Sequence, residues 1–111
     1  MKYISYSDSA TPLSLTSKDA NSFVVMSAMG TIILPDDNDT FPMGTRLIIY
    51  TSPGAHAKLQ FRSGQNSTII IPGERTNVTT LTIPGRQYAE FLKGNGHFIL
   101  ISGSIPQAMG N

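Results

Sequence analysis

This sequence of 111 residues contains neither cysteine nor tryptophan, and it has few charged side chains. The absence of cysteine excludes a disulfide framework, a thiolate zinc site and a cysteine nucleophile. Charged residues make up 14% of the chain, against about 25% in a typical soluble domain. Since a surface with so few charges is poorly protected against self-association, the composition favours a protein partly covered by other subunits, although many extracellular all-β domains share this deficit.

A strong net charge and long apolar runs are absent as well. Eight basic and seven acidic residues leave a net charge of +1, which gives no field that would gather nucleic acid or an anionic membrane. No run approaches the ~20 apolar residues of a membrane-spanning helix, and the segment 1–6 lacks the apolar core of a signal peptide. We therefore expect a protein made in the cytoplasm, with neither nucleic acid nor a membrane as a partner.

The chain is instead rich in short segments of β-branched and aromatic residues, divided by Gly, Pro and Asn. The stretch 31–50 shows the pattern: an apolar strand that stops at Pro35, an acidic loop, and a second apolar strand that starts after Gly44. Repeated along the chain, this pattern predicts about nine short strands and only one helical turn, at 16–21 with Ser17 as its cap. The predicted fold class is all-β, an antiparallel sandwich of the jelly-roll kind.

A chain of this length forms one domain. We place the sandwich at residues 13–103, after an N-terminal arm or edge strand at 1–12 and before a small polar tail at 104–111. The arm is expected either to pack on a neighbouring subunit or to be a disordered tail. A hairpin is expected around 94–96, which reads Gly-Asn-Gly. The predicted core comprises Val24, Met26, Ile32, Leu34, Leu47, Ile49, Leu59, Phe61, Ile70, Leu81, Ile83, Phe91, Phe98 and Leu100.

Side chains suited to catalysis are sparse. His56 and His97 begin two different strands with no carboxylate close to them in sequence. A catalytic triad needs no proximity in sequence, but the chain has no nucleophile motif that would favour one. Glu74 and Glu90 could form a carboxylate pair only at a separation that the sequence does not set. We therefore expect neither an enzyme nor a bound cofactor.

The acidic loop offers the one weak candidate for a metal site. Asp36, Asp37 and Asp39 place several oxygen ligands in one short segment, and hard cations such as calcium prefer oxygen. The segment lacks the glycine and the closing glutamate of a calcium-binding loop. Asp and Asn also satisfy the backbone of ordinary turns, which is the favoured interpretation.

Four tyrosines lie in or beside the predicted strands. A tyrosine ring offers apolar area together with a hydroxyl, which suits the rim of a contact with another subunit or a receptor. Half-buried packing within the sheet is the plain alternative. The candidate interface residues are Tyr3, Tyr6, Tyr50 and Tyr88.

The order of motifs from Leu13 to Gly103 resembles a small β-domain that recurs in virion proteins of tailed bacteriophages. In that family an alternating strand and an Asp-Ala-Gly-like turn precede a strand, a threonine-rich strand that ends in Leu-Pro, and a Phe-Pro-x-Gly-Thr turn. The matching pieces here are Leu13-Ser14-Leu15, Lys18-Asp19-Ala20-Asn21, residues 22–28, Gly30-Thr31-Ile32-Ile33-Leu34-Pro35 and Phe41-Pro42-Met43-Gly44-Thr45.

The second half of the chain continues this likeness. A Pro-Gly turn precedes Tyr88-Ala89-Glu90-Phe91-Leu92, and the Gly-Asn-Gly loop precedes the closing segment 98–103. The chain departs from the family at three places. Asn21 stands where the family has a turn glycine, Phe98 lies near the position of its closing tryptophan, and Pro53-Gly54-Ala55-His56 interrupts its Gly-Ala-Gly-Val run.

The resemblance implies a homotrimeric β-sandwich used in head decorations, head fibres and the knobs of tail fibres or needles, with no catalytic residues. The chain has no heptads that could form a fibre shaft. We therefore expect a capsid decoration or cement protein that binds the major capsid protein, or another virion protein, as a homotrimer in the virion. The alternative is a tail-fibre, tail-tip or needle-knob component that binds a host receptor glycan. An unrelated carbohydrate-binding module or small enzyme is a third interpretation.

Overall fold

The computed structural model describes residues 1–35, 41–62 and 65–104. These residues form ten strands in two sheets and one short 3₁₀ turn at Ser17–Asp19, so the all-β prediction is confirmed. No helix in the described ranges is long and apolar enough to cross a membrane. The strands are β1 (Lys2–Tyr6), β2 (Leu13–Ser14), β3 (Ser22–Met26), β4 (Met29–Ile33), β5 (Arg46–Thr51), β6 (His56–Gln60), β7 (Thr68–Ile70), β8 (Thr80–Ile83), β9 (Tyr88–Lys93) and β10 (His97–Gly103).

The chain changes sheet after almost every strand. The six-stranded sheet has the order β1-β3-β5-β9-β10-β7, and the four-stranded sheet has the order β2-β4-β6-β8. Only β9 and β10 follow each other within one sheet, and they form the hairpin predicted at the Gly-Asn-Gly loop. All nine predicted strands occur with slightly shifted ends, and β1 is the tenth.

The antiparallel arrangement expected from the sequence is wrong, because both sheets are mixed. β1, β3 and β5 run parallel, β2, β4 and β6 do the same, and β7 is parallel to β10. Antiparallel pairs join β5 to β9, β9 to β10 and β6 to β8. Parallel neighbours need a crossover connection, and here a strand of the opposite sheet provides it. Apolar alternation is the same in both arrangements, so it does not reveal strand direction.

The N-terminal strand lies on the edge of the six-stranded sheet of its own chain. β1 pairs in register with β3, and Ile4 and Tyr6 pack against the core. Its position is held at one end by Lys2, whose backbone amide donates to the carbonyl of Asn21 at 2.9 Å. The Nζ of Lys2 donates to the Asp19 carboxylate at 2.6 Å.

The 3₁₀ turn begins at a capping box. Thr16, and not the predicted Ser17, is the cap: its hydroxyl accepts from the Lys18 amide, and the Asp19 carboxylate accepts from the Thr16 amide at 2.9 Å. Burial alone would raise the pKa of Asp19, but the hydrogen bonds from Lys2 and Thr16 outweigh it and hold that pKa below its ordinary value.

One apolar core fills the space between the sheets. Most of the predicted core residues are fully buried, and three are not: Phe61 and Leu100 are half-buried, and so is Ile70. In β7 the buried residue is Ile69, and Ile71 directly after the strand is buried as well, so the predicted face of that segment is inverted. Three consecutive isoleucines contain no polar residue that would mark the outward face, which is why alternation failed there.

An aromatic cluster at one end of the core includes a residue outside the predicted strands. Phe41 is buried and meets Phe98 edge to face, with ring centroids 5.8 Å apart. Phe61 lies on the other side of Phe98 at 6.2 Å. After Phe41, the Thr45 amide donates to the Pro42 carbonyl, and Gly44 takes the positive φ of 88° that the sequence suggested for this turn.

Candidate assembly interface

The outward side of the six-stranded sheet is apolar. On β3, β5 and β9 every second residue is buried in the core, and the residues between them point away from it. The pairing of strands brings these outward residues next to one another across the sheet. We call this surface the outer apolar face; it consists of Tyr3, Phe23, Val25, Ile48, Tyr50, Ile70, Tyr88, Leu92 and Ile99.

Aromatic rings occupy one half of the outer apolar face. Tyr3 lies beside Phe23, and their rings are stacked with centroids 6.2 Å apart and planes inclined by 7°. Val25 lies beside Tyr50, which is directly opposite Tyr88. Tyr3 is 67% exposed and Tyr88 42% exposed, so large rings stand in solvent on a surface that is already apolar.

Aliphatic side chains occupy the other half of the face. Leu92 of β9 is paired with Ile99 of β10, and Ile99 is paired with Ile70 of β7. Ile48 of β5 lies between Phe23 of β3 and Glu90 of β9. These residues are half-buried by their neighbours within the sheet, and no element among the described residues covers them.

Polar side chains interrupt this surface at its edges, where Ser5, Thr68 and His97 lie, and an ion pair interrupts it near its centre. Arg46 of β5 and Glu90 of β9 approach to 3.5 Å between Nη1 and Oε2. The Arg46 side chain is 62% exposed and the Glu90 side chain 19% exposed. The outer apolar face therefore has one positive and one negative group side by side and no net charge.

The outward side of the four-stranded sheet has a different composition. Thr31, Lys58 and Thr82 form one row across it, and Gln60 and Thr80 belong to the next row. Lys58, Thr80 and Thr82 are exposed. This is the usual alternation of an apolar inner face and a wet outer face. The apolar character of the other sheet is therefore a property of that face and not of the whole domain.

Three of the four candidate tyrosines lie on the outer apolar face, and Tyr6 does not. Tyr6 packs against the core, next to Gly30 and Met26. Its hydroxyl is buried, and no group in the described part of the chain forms a hydrogen bond with it. This burial, together with the nearby Asp8 carboxylate, raises the pKa of Tyr6 above its ordinary value. The period of two along β1 separates Tyr6 from Tyr3, because residues three apart point to opposite faces of a strand.

The remaining candidates for chemistry are not brought together. His56 and His97 begin β6 and β10 in different sheets, and Glu90 is paired with Arg46 and not with Glu74. Across the described ranges, no three His, Asp or Glu side chains are grouped as metal ligands. The predicted calcium ligands Asp36, Asp37 and Asp39 lie outside the described residues.

An open groove of ≈ 400 Å³ lies on the other side of the molecule, near the end of β6 and the start of β8. Its volume falls in the range of small-ligand clefts. Its described lining combines one aromatic ring and one guanidinium with amide and hydroxyl side chains, and includes no carboxylate. The lining residues are Gln60, Phe61, Arg62, Gln65, Ser67, Thr79 and Thr80.

Sequence reasoning identified the tyrosines of the outer apolar face but missed its aliphatic residues. The signal was present in two strands: 23–26 reads Phe-Val-Val-Met and 47–50 reads Leu-Ile-Ile-Tyr, without the polar residue at every second position that a wet face requires. Continuous apolar strands indicate burial on both faces of a sheet. Taken with the low charge, this pattern could have predicted a covered face on the central strands.

Comparison with known proteins adds no relative: no protein-family model matches this chain, and neither a curated protein nor a solved structure matches it significantly. The functional conclusion therefore rests on the surface described above together with the order of motifs in the sequence.

Proposed function

We propose that this chain is a structural protein of a tailed-bacteriophage virion, a capsid decoration or cement protein that binds the head as a homotrimer. The observation on which this rests is the outer apolar face. Monomeric proteins rarely expose apolar patches beyond a few hundred Å², and larger ones mark interaction sites. A domain that leaves its widest sheet uncovered fits a subunit of an assembly.

The phage assignment rests on the resemblance in motif order, and two structural details support it. Asn21, where the family has a turn glycine, takes a positive φ of 56°, which glycine adopts freely and asparagine tolerates. Phe41 and Phe98, which belong to motifs far apart in the sequence, meet in the core. The Phe-Pro-x-Gly-Thr turn and the closing segment therefore both contribute a ring to the core, as expected of motifs that define a fold.

A decoration protein needs no reacting groups, because it stabilises a shell by bridging neighbouring capsid subunits. Its stabilisation is the free energy of binding, shared among the subunits that it touches. Low charge suits this role, since charged groups are costly to desolvate at a contact. The outer apolar face supplies area for one contact, and the remaining surfaces are left for the capsid.

Light scattering of the purified chain and co-sedimentation with expanded phage capsids test the proposal together. A trimer that pellets with the capsids, and raises the temperature at which they fall apart, is the expected result. A chain that stays in the supernatant over intact capsids at micromolar concentration would contradict the decoration role.

The groove beside Phe61 favours a second candidate function, a tail-fibre, tail-tip or needle-knob component that binds a host glycan. Saccharides are recognised by an aromatic ring together with amide and hydroxyl hydrogen bonds, and the groove lining offers these groups. Glycan-array binding that is lost in Phe61→Ala would favour this role. Labelling of the protein on phage particles separates the two, because a decoration protein lies on the head and a knob on the tail.

A further inference from the structure

The outer apolar face has a composition that is complementary to itself. We propose that copies of this chain meet one another through this face, with Arg46 of one copy contacting Glu90 of the next. The inference rests on the proposed function, since it names the partner of the surface on which that function depends. It goes further in assigning the face to contacts between copies, which leaves other surfaces for the capsid.

The charge on the face favours a second copy over a partner of biased charge. Arg46 and Glu90 lie side by side and cancel, so two such faces meet without net repulsion. A strongly acidic or basic partner would find no excess of opposite charge to bind here, and electrostatic complementarity is what selects partners at such surfaces. A copy offers both signs at matching positions.

The geometry of the ion pair also suits an exchange between copies. At 3.5 Å the pair is a loose contact, and most of the Arg46 side chain remains open to a further partner. A guanidinium has five N–H donors in a planar fork and can bond two carboxylates at once. If both charges are covered by an apolar face, each needs additional hydrogen bonds, and the second copy can supply them.

The six-stranded sheet sets the size of the face. Six strands at their normal spacing and about five residues along the longer ones give a footprint of roughly 24 by 17 Å, on the order of 400 Å² in projection. Protruding rings such as Tyr3 and Tyr88 make the accessible area larger than the projection. The footprint is about half of the ~800 Å² per partner of a typical stable interface, so we expect an association between copies that depends on concentration.

Charge reversal on each half of the pair provides the test. R46E leaves a face with two negative groups, and E90R leaves one with two positive groups. Each variant alone is expected to bind itself at least about 100-fold more weakly than the original chain, because like charges would be buried together. The double variant R46E/E90R should recover an affinity within about tenfold of the original, because opposite charges then meet at every contact between copies.

A matched control lies on the other sheet. K58E changes the net charge by the same amount as R46E, but Lys58 is exposed between Thr31 and Thr82 on the polar outward side. Its self-association should equal that of the original chain. Mass is measured by light scattering and sedimentation equilibrium over a concentration series, and thermal melting verifies that each variant is folded.

Three outcomes would overturn the inference. The original chain could be a monomer at high micromolar concentration, R46E and E90R could each keep the original mass, or the double variant R46E/E90R could remain as weakly associated as the single variants. Capsid co-sedimentation is scored separately. If the variants keep the original mass and still pellet with capsids, the proposed interface is wrong and the virion role stands. If the chain self-associates as expected but does not pellet with capsids, the virion role is wrong and the interface stands.

Discussion

Tyr50 lies directly opposite Tyr88 on the antiparallel strands β5 and β9, and both rings belong to a sheet face that no described element covers. Directly paired side chains on one face of a sheet are close enough to act as one contact surface. Tyrosine is also among the residues that most often dominate the energy of protein interfaces. The pair therefore marks the aromatic half of the proposed contact between copies.

Tyr88→Ala should weaken self-association by about 30-fold or more, the effect of a central interface residue. The stability of the isolated subunit should change much less than the affinity, because Tyr88 lies on the outward side of the sheet and is 42% exposed there. Sedimentation equilibrium gives the dissociation constant, and Lys58→Ala on the polar sheet is the control. If the dissociation constant of Tyr88→Ala equals that of the original chain, Tyr88 does not belong to the interface.

Asp19 should make the N-terminal edge of the sheet sensitive to acid. The pKa of Asp19 is lower in the folded chain than in the unfolded chain. Its carboxylate therefore contributes to stability at any pH above the unfolded pKa. That contribution is lost as the pH falls through the folded pKa, below about pH 4. Asp19→Asn should cost about 1 kcal/mol at pH 7 and reduce the loss of stability in acid. Urea unfolding from pH 7 to 2 measures this, with Asp8→Asn as the variant that loses one charge elsewhere.

The inverted face of β7 gives a test of strand register within one segment. Ile69→Ala removes a fully buried side chain and should cost about 3 kcal/mol in unfolding free energy. Ile70→Ala, on the outer apolar face, should cost less than about 1 kcal/mol when the chain is dilute enough to be monomeric. Urea unfolding compares the two; the reverse order would mean that β7 faces the other way.

The left-handed backbone at Asn21 can be probed with two substitutions. Its side-chain Oδ1 accepts from the Arg46 amide at 3.1 Å, and either substitution removes that hydrogen bond. Asn21→Ala should cost about 1 kcal/mol more than Asn21→Gly, because alanine is strained at a φ of 56° and glycine is not. Thermal and urea unfolding of both variants give the difference, and equal losses would count against the positive φ.

The Tyr6 hydroxyl is a buried donor with no partner among residues 1–35, 41–62 and 65–104, and its removal should not reduce stability. Tyr6→Phe is expected to leave stability unchanged or to raise it by up to about 1 kcal/mol, because no hydrogen bond is lost and a desolvated group is removed. Self-association should stay the same, since Tyr6 faces the core. A loss of stability above about 1 kcal/mol would reveal a hydrogen bond to this hydroxyl.

The sequence by itself determined the all-β class, nearly all the strand positions and most of the core, because these follow from local propensity, turn residues and the period of two. Its low charge predicts an assembly protein, and this stays a prediction. The apolar–polar alternation did not predict which side of β7 is buried, because Ile69 and Ile70 are both apolar. It also does not distinguish parallel from antiparallel neighbouring strands.

Only the tertiary structure decided which sheet each strand joins, and therefore which side chains share a face. Tyr3 and Tyr6 illustrate this: both are tyrosines of β1, yet one lies on the outer apolar face and the other packs against the core. Arg46 and Glu90 are far apart in the chain and meet only because β5 pairs with β9. A surface made of residues from six strands is a consequence of strand order, which depends on long-range contacts that no local pattern encodes.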